Sequence, residues 1–173
     1  MGKKKIFESC GELPEEVLKK SLKGEPVIDK FALRTLSLEE IPAAINGINI
    51  EFKHTVNKNV DGSLIAGLIH CLKPDVAPGF TLHIAFVSSA HDGHNLPSRH
   101  AMAKAVDISR INGKRIGEFY EKDDEVTAIV KALQESFESF PERRENFGPH
   151  FCKKLGQPNP IPGHDDHVHF SVS

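Results

Sequence analysis

The segment GHDDHVHFSVS places three histidines and two aspartates within the six residues from His164 to His169. Imidazole and carboxylate groups bind divalent metals, and imidazole also exchanges protons near neutral pH. Because side chains alternate between the two faces of a strand, His167 and His169 would share one face, with Val168 on the other. The segment therefore predicts a strand that presents an imidazole pair on one surface.

A second concentration of such groups lies in SSAHDGHNLPSRHAMAKAVDIS, which contains His91, His94, His100 and Asp107. Asp107 falls inside a predicted strand over 104–111, on the face opposite the apolar side chains. If this strand neighbours the C-terminal one, its carboxylate and the imidazole pair could converge on a single ion, with His100 leading into the site. His91 and His94 lie in the preceding loop and are weaker candidates for substrate contact.

This set of groups favours zinc. Two imidazoles and one carboxylate leave a fourth tetrahedral position for water, whereas a structural zinc site is normally closed by four protein ligands rich in Cys. Bound zinc lowers the pKa of water from about 16 to roughly 7 and makes hydroxide available at neutral pH. The sequence therefore predicts Zn²⁺ as cofactor and hydrolysis as the reaction.

The same residues carry a resemblance to a known family. SRHAMAKAVD resembles the Ser-x-His-x-x-Gly-x-Ala-x-Asp motif of the LAS metallopeptidases, named for lysostaphin, D-Ala-D-Ala carboxypeptidase and sonic hedgehog, and HVH resembles their His-x-His. The resemblance covers roughly positions 81–173. It implies that His100, Asp107 and His169 are the zinc ligands and that the fold is hedgehog/DD-peptidase-like.

Within this family the run His164–His169 is similar to that of the murein endopeptidases. Asp166 matches the position of the catalytic acid in D-Ala-D-Ala dipeptidases and phage L-alanyl-D-glutamate endolysins. The resemblance implies that Asp166 is the general base, and that His167 stabilises the oxyanion, shares the base role or orients a ligand. His164 either lines the cleft or ends the loop, and Arg99 is a candidate substrate-binding residue.

Two positions depart from the motif. Ala103 stands where the family has Gly, which would matter only if the backbone needs a positive φ, and we expect it does not in a strand. Carboxypeptidase-type members carry an Arg just before the first ligand, and FVSSAHDG has none, although Arg99 and Arg110 are near. This second departure favours an endopeptidase over a carboxypeptidase.

Hydrophobic periodicity predicts the elements that position these residues. The predicted helices are 13–22, 59–72 and 123–140; the strands are 81–89, 104–111 and, after an Asn112-Gly113 turn, 114–116, with the C-terminal strand following a long ordered loop over 141–162. We expect an α+β fold, a small antiparallel sheet with helices on one face. The chain would be a single domain, 1–173, with a helical or irregular portion over 1–80 and the zinc peptidase core over 81–173.

Composition limits the possible partners. A net charge of −2 over 173 residues gives no strong field for binding nucleic acid or a membrane surface, and no apolar run suggests membrane insertion. The three cysteines are odd in number and far apart, which argues against disulfides and a Cys-rich metal site. We expect a monomer, made in the cytoplasm without a signal peptide and reaching the cell wall by phage-type release or non-classical export.

Two functions of different classes follow. The first is a zinc-dependent peptidase, an endolysin or murein endopeptidase, that cuts the stem peptides or cross-links of peptidoglycan. The alternative is a non-catalytic, zinc-stabilised binding module such as a virion or cell-wall-binding component, because the hedgehog branch retains the ligands without an established peptidase role. An acid at Asp166 beside His167 favours the enzyme, since a binding module needs neither.

Overall fold

The computed structural model describes residues 37–173, which lie in one compact unit, Leu36–Ser173. The predicted helix over 13–22 lies outside the described residues, and the single domain over 1–173 therefore stays a prediction. Within 37–173, no helix is both long enough and apolar enough to span a bilayer.

Residues 37–173 form three helices and eleven short strands. The helices are α1 (Gly62–Cys71), α2 (Ile116–Phe119) and α3 (Asp124–Glu138). The strands are β1 (Leu38–Glu40), β2 (Ala44–Ile45), β3 (Ile48–Phe52), β4 (Asn59–Asp61), β5 (Ile84–Ser89), β6 (Ala105–Ile111), β7 (Lys114–Arg115), β8 (Arg143–Phe147), β9 (Cys152–Lys154), β10 (Gln157–Pro158) and β11 (Val168–Val172).

Nine of these strands form one mixed sheet in the order β10-β9-β8-β11-β6-β5-β3-β2, with β7 paired to β6, while β1 and β4 form a separate ribbon. The expected mixture of helix and strand is confirmed. The sheet is nevertheless larger than the small antiparallel sheet we expected, and its β3–β5 pair is parallel. The difference arises because β2 and β3 come from the portion before residue 81, which the sequence suggested was helical or irregular, and because β8, β9 and β10 come from the predicted loop over 141–162.

The helices cover one face of the central strands. In α3 the predicted apolar stripe is buried, and Phe137 stacks on Phe170 of β11 with ring centroids 4.2 Å apart. Asp123 begins this helix, since its carboxylate accepts a hydrogen bond from the Val126 amide at 3.0 Å. Both α1 and α3 contact β11. The opposite face of these central strands is therefore left to the polar side chains.

Several predicted boundaries need correction; Ile116, for example, begins α2 and does not end the predicted strand over 114–116. Helix α1 begins at Gly62 rather than at residue 59, because Asp61 caps it by accepting from the Ser63 amide at 2.9 Å and Asn59–Asp61 pairs with β1. Similarly, β5 begins at Ile84 rather than at residue 81. The strand β6 and the hairpin turn are confirmed, with φ of 50° at Asn112 and 79° at Gly113.

The prediction of a long loop over 141–162 is wrong, because this stretch holds β8, β9 and β10. Leu155 and Gly156, with φ of 50° and 77°, form a two-residue turn between β9 and β10. Pro158 lies in β10, the edge strand, where a residue without an N–H is tolerated. Strand β8 pairs with β11 and thereby extends the surface around His169.

Candidate metal centre

Asp107 and His169 lie directly opposite each other on the neighbouring antiparallel strands β6 and β11. Their neighbours Ile108 and Val168, which are also paired, belong to the buried core. Because side chains alternate along both strands, the carboxylate and the imidazole share the face opposite the helices. The sequence predicted this shared face for Asp107 and His169, which are in contact, whereas His167, expected to accompany His169 on the strand, precedes β11.

The three predicted ligands form a compact triangle. His100 Nε2 lies 3.2 Å from Asp107 Oδ1 and 3.2 Å from His169 Nδ1. His169 Nδ1 and Asp107 Oδ1 are 2.8 Å apart. Ligand atoms held tetrahedrally at about 2.0–2.1 Å from zinc lie about 3.3 Å from one another. The spacing and the two-nitrogen, one-oxygen donor set therefore fit a divalent metal such as zinc.

Each histidine of the triangle has a hydrogen-bond partner on its other nitrogen. His100 Nδ1 lies 2.7 Å from the Ala90 carbonyl oxygen, to which it can only donate, so Nε2 keeps the lone pair that faces the centre. His169 Nε2 lies 3.4 Å from Glu145 Oε2, which leaves Nδ1 facing the centre. Such partners fix the tautomer and ring orientation of metal-binding histidines.

Glu145 is a site residue that the sequence did not indicate. Its Oε2 accepts from Ser171 Oγ at 2.9 Å and its Oε1 pairs with Lys154 Nζ at 2.9 Å, so the carboxylate is held on both sides. Strand β8, RRENF, contains only one apolar residue. Its residues show no hydrophobic alternation that would predict a strand. Glu145 therefore fell within the predicted loop over 141–162.

At this centre, burial and hydrogen bonding have opposite effects on the pKa values of the ionisable side chains. Burial disfavours the charged form of His169, but hydrogen bonds to Asp107 and Glu145 outweigh it and raise the pKa of the imidazole to about 9. Burial likewise opposes ionisation of the two carboxylates. The adjacent imidazoles of His100 and His169 nevertheless hold the pKa of Asp107 well below its usual range, and hydrogen bonds from His169, Lys154 and Ser171 lower the pKa of Glu145 to about 2. The carboxylates thus favour a cation at this position.

The triangle opens into a cleft of about 400 Å³, whose lining includes His94, Arg99, Phe147, Ile161, His164 and His167. His167 Nε2 lies 3.8 Å from Asp107 Oδ1, and its Nδ1 is 2.7 Å from Asp166 Oδ1. The Asp166 side chain is 77% exposed, against 19% for His167. The imidazole of His167 therefore lies nearer the centre than Asp166, the predicted general base, whose role stays a prediction.

The two predicted substrate-binding residues both line this cleft but differ in their contacts. The His164 ring lies 5.1 Å from those of Phe147 and His167, and its Nδ1 is buried without a hydrogen-bond partner among the described residues. Burial and the neighbouring histidines lower the pKa of His164. Arg99 donates from Nη2 to the Val172 carbonyl oxygen and thus anchors the C-terminal strand.

The two loop histidines, weak candidates from the sequence, lie in different places. His94 stacks on His100, with ring centroids 4.3 Å apart, and lines the cleft. Asp92, His94 and His100 are also close enough to hold a metal, although the Asp92 carboxylate already accepts from Ser89 Oγ at 2.8 Å. His91 Nδ1 instead contacts a backbone carbonyl, at residue 59, 3.1 Å away.

Our expectation about Ala103 is wrong. Its φ is 59°, in the left-handed region, because it precedes β6 and closes a turn in which its amide donates to the His100 carbonyl at 2.9 Å. Glycine adopts this conformation without steric cost, which gives a physical reason for Gly at this position of the motif. The turn that carries the first ligand is therefore strained in this chain.

The resemblance to LAS metallopeptidases rests on the two sequence motifs. No protein-family model, curated protein sequence or solved structure matches this chain.

Proposed function

We propose that the chain is a zinc-dependent peptidoglycan peptidase, an endopeptidase that hydrolyses peptide bonds of stem peptides or cross-links. The observation that carries the proposal is the contact of three suitably spaced donors, His100, Asp107 and His169, beside the His167–Asp166 pair in one cleft. When bound there, zinc would lower the pKa of a coordinated water towards neutrality and polarise the scissile carbonyl.

The pair beside the triangle supplies the proton transfers. His167 presents Nε2 towards the cleft, while the Asp166 carboxylate accepts from Nδ1 at 2.7 Å and fixes the tautomer. In this arrangement Nε2 takes a proton from the attacking water and returns it to the leaving amine, and Asp166 stabilises the imidazolium formed in between. His164, in the same cleft, is positioned to donate a hydrogen bond to the oxyanion.

The cleft also supports cleavage within a chain rather than at its end. The carboxypeptidase-type arginine is missing from the sequence, and Arg99, which lines the cleft, is engaged with the Val172 carbonyl. Arg99 is therefore not free to bind a terminal carboxylate within this cleft.

Purified peptidoglycan tests the proposal directly. We expect the zinc-loaded protein to clear it, chelation to abolish clearing and added zinc to restore it, with new termini identified by mass spectrometry of the released muropeptides. Asp166→Ala and His167→Ala should each reduce the rate at least about 100-fold. Asp165→Ala, which removes an exposed carboxylate from the adjacent position, is the matched control and should leave the rate unchanged.

Zinc bound at the triangle with no bond cleaved by the wild-type protein would overturn the proposal. Retained binding to the cell wall under those conditions would instead support the zinc-stabilised binding module.

A further inference from the structure

A second cavity, of about 380 Å³, adjoins the cleft through the hydrogen-bonded residues Asp166 and His167. It is lined by Ser109, Arg110, Arg115, Gly117, Glu118 and Asp166. Asp166 lines this cavity, and its hydrogen-bond partner His167 lines the cleft, so the two spaces share the Asp166–His167 pair as a wall. A peptide bound at the triangle can reach this cavity by passing over that pair.

A β-bulge turns Arg110 towards the open face. Phe86 pairs with Arg110 and the next residue, Val87, pairs with Ile108, so β6 has Ser109 as an extra residue. Ile108 and Ile111 are consequently both buried, although strict alternation would place them on opposite faces. The bulge thereby puts Ser109 and Arg110 on the side of the sheet that also carries Asp107.

The two arginines form a like-charged cross-strand pair. Arg110 lies directly opposite Arg115 in the β6–β7 hairpin, an arrangement that is unfavourable without an anion between the strands. Glu118 pairs with Arg115 at 2.9 Å, but both side chains are more than half exposed, so the pair contributes little. Arg110 stacks on the Phe86 ring at 4.6 Å and makes no ion pair with any residue in 37–173.

We propose that Arg110 and Arg115 bind a carboxylate of the substrate peptide and so select acidic stem peptides. The proposal rests on the function proposed above and names its specificity-determining residues. A stem peptide offers such a carboxylate on its γ-linked glutamate and at its C-terminus, and a guanidinium pair recognises either by forked hydrogen bonds. The stacking on Phe86 holds one guanidinium in place before the ligand arrives.

Binding of three related probes tests the inference. The probes are the tripeptide L-Ala-γ-D-Glu-L-Lys as free acid, the same peptide amidated at the glutamate α-carboxylate, and the same peptide amidated at the C-terminus. Calorimetry uses the full-length, zinc-loaded His167→Ala protein, which blocks turnover. We expect the free acid to bind at least about tenfold more tightly than one of the amides, and the amide that loses affinity identifies the carboxylate.

Variants of the pair assign the effect to the arginines. Arg110→Gln and Arg115→Gln should each remove the preference for the acid, Arg110→Lys should restore part of it, and Lys122→Gln, an exposed cation elsewhere, should leave it intact. Arg115 is exposed, so its variant is expected to keep the wild-type melting temperature even if Arg110→Gln does not.

Three results overturn the inference: equal affinity for all three probes, a preference that survives in both glutamine variants, or no binding of any probe. Failure of the proposed function would give a different set of results from failure of this inference. In that case peptidoglycan is not cleaved, while the acid is still preferred and the preference still depends on Arg110 and Arg115.

Discussion

Replacing Glu145 by Gln should weaken metal binding without removing a ligand. The Glu145 carboxylate lies 3.4 Å from His169 Nε2 and is held there by Ser171 and Lys154. Gln keeps the shape and one accepting oxygen but loses the negative charge that increases the basicity of the imidazole. Substitutions of such second partners typically reduce metal affinity 10- to 100-fold, which corresponds to about 1.4–2.7 kcal/mol.

Within that range we expect a value near the lower end. The 3.4 Å separation is long for a charge-assisted hydrogen bond, and Lys154 already neutralises part of the carboxylate charge. Zinc affinity is measured by competition with a chromophoric chelator. Glu135→Gln is the matched control, because Glu135 also contacts an imidazole, that of His150 at 3.3 Å, but is largely exposed and remote from the triangle.

The result that refutes this reasoning is an unchanged zinc affinity in Glu145→Gln, or an equal loss in Glu135→Gln. The first outcome means that the carboxylate does not tune His169, and the second that the loss reflects a general change in charge. The metal-free Glu145→Gln protein should also be less stable at neutral pH, because the protonated imidazole loses one of its two carboxylate partners.

Three further predictions concern stability and positioning. The pKa of His169 is raised to about 9, so its stabilising contribution to the metal-free protein is complete below about pH 6.5 and is lost as pH rises through 9. The unfolding free energy of that protein should fall by at most about 3 kcal/mol over this interval, and a denaturant series showing no fall contradicts the assignment. Ala103→Gly relieves a φ of 59° and should stabilise the protein by about 0.5–1 kcal/mol, whereas a lower melting temperature would show that the lost methyl contacts outweigh the strain. Gly117→Ala would bring a methyl group within 2.6 Å of Asp166 Cβ, so we expect a slower turnover of peptidoglycan, and unchanged kinetics would exclude a positioning role for this glycine.

The sequence predicted the fold best where hydrophobic periodicity or turn-forming residues favour a single local backbone conformation. The apolar stripe of α3, the Asn112-Gly113 turn and the alternation around Asp107 are local patterns with one favourable backbone conformation each, and the structure contains all three. The contact between Asp107 and His169 could also be anticipated, because both motifs fall on strands and only one face of each strand is polar.

The structural features that the sequence did not predict depend mainly on pairing between segments that are far apart in the sequence. Strand β8 is stabilised by its partner β11 rather than by its own composition, so neither the strand nor Glu145 could be identified from local residues. The bulge at Ser109 changes which face Arg110 occupies, and it becomes visible only from the register with β5. The positive φ of Ala103 likewise follows from the turn it closes and not from its residue type.

The architecture explains how the geometry of the centre is maintained. Asp107 and His169 lie on the adjacent central strands β6 and β11, and Phe170, next to His169, is packed against α3 on the other face. Their separation is therefore set by a hydrogen-bonded register that the core already stabilises, without help from a metal. His100 instead comes from a strained turn, so its position depends on Ala103 and on the Ala90 carbonyl. Under the proposed function, two ligands fixed by the sheet and a third on a turn would hold the metal and leave one side open to substrate.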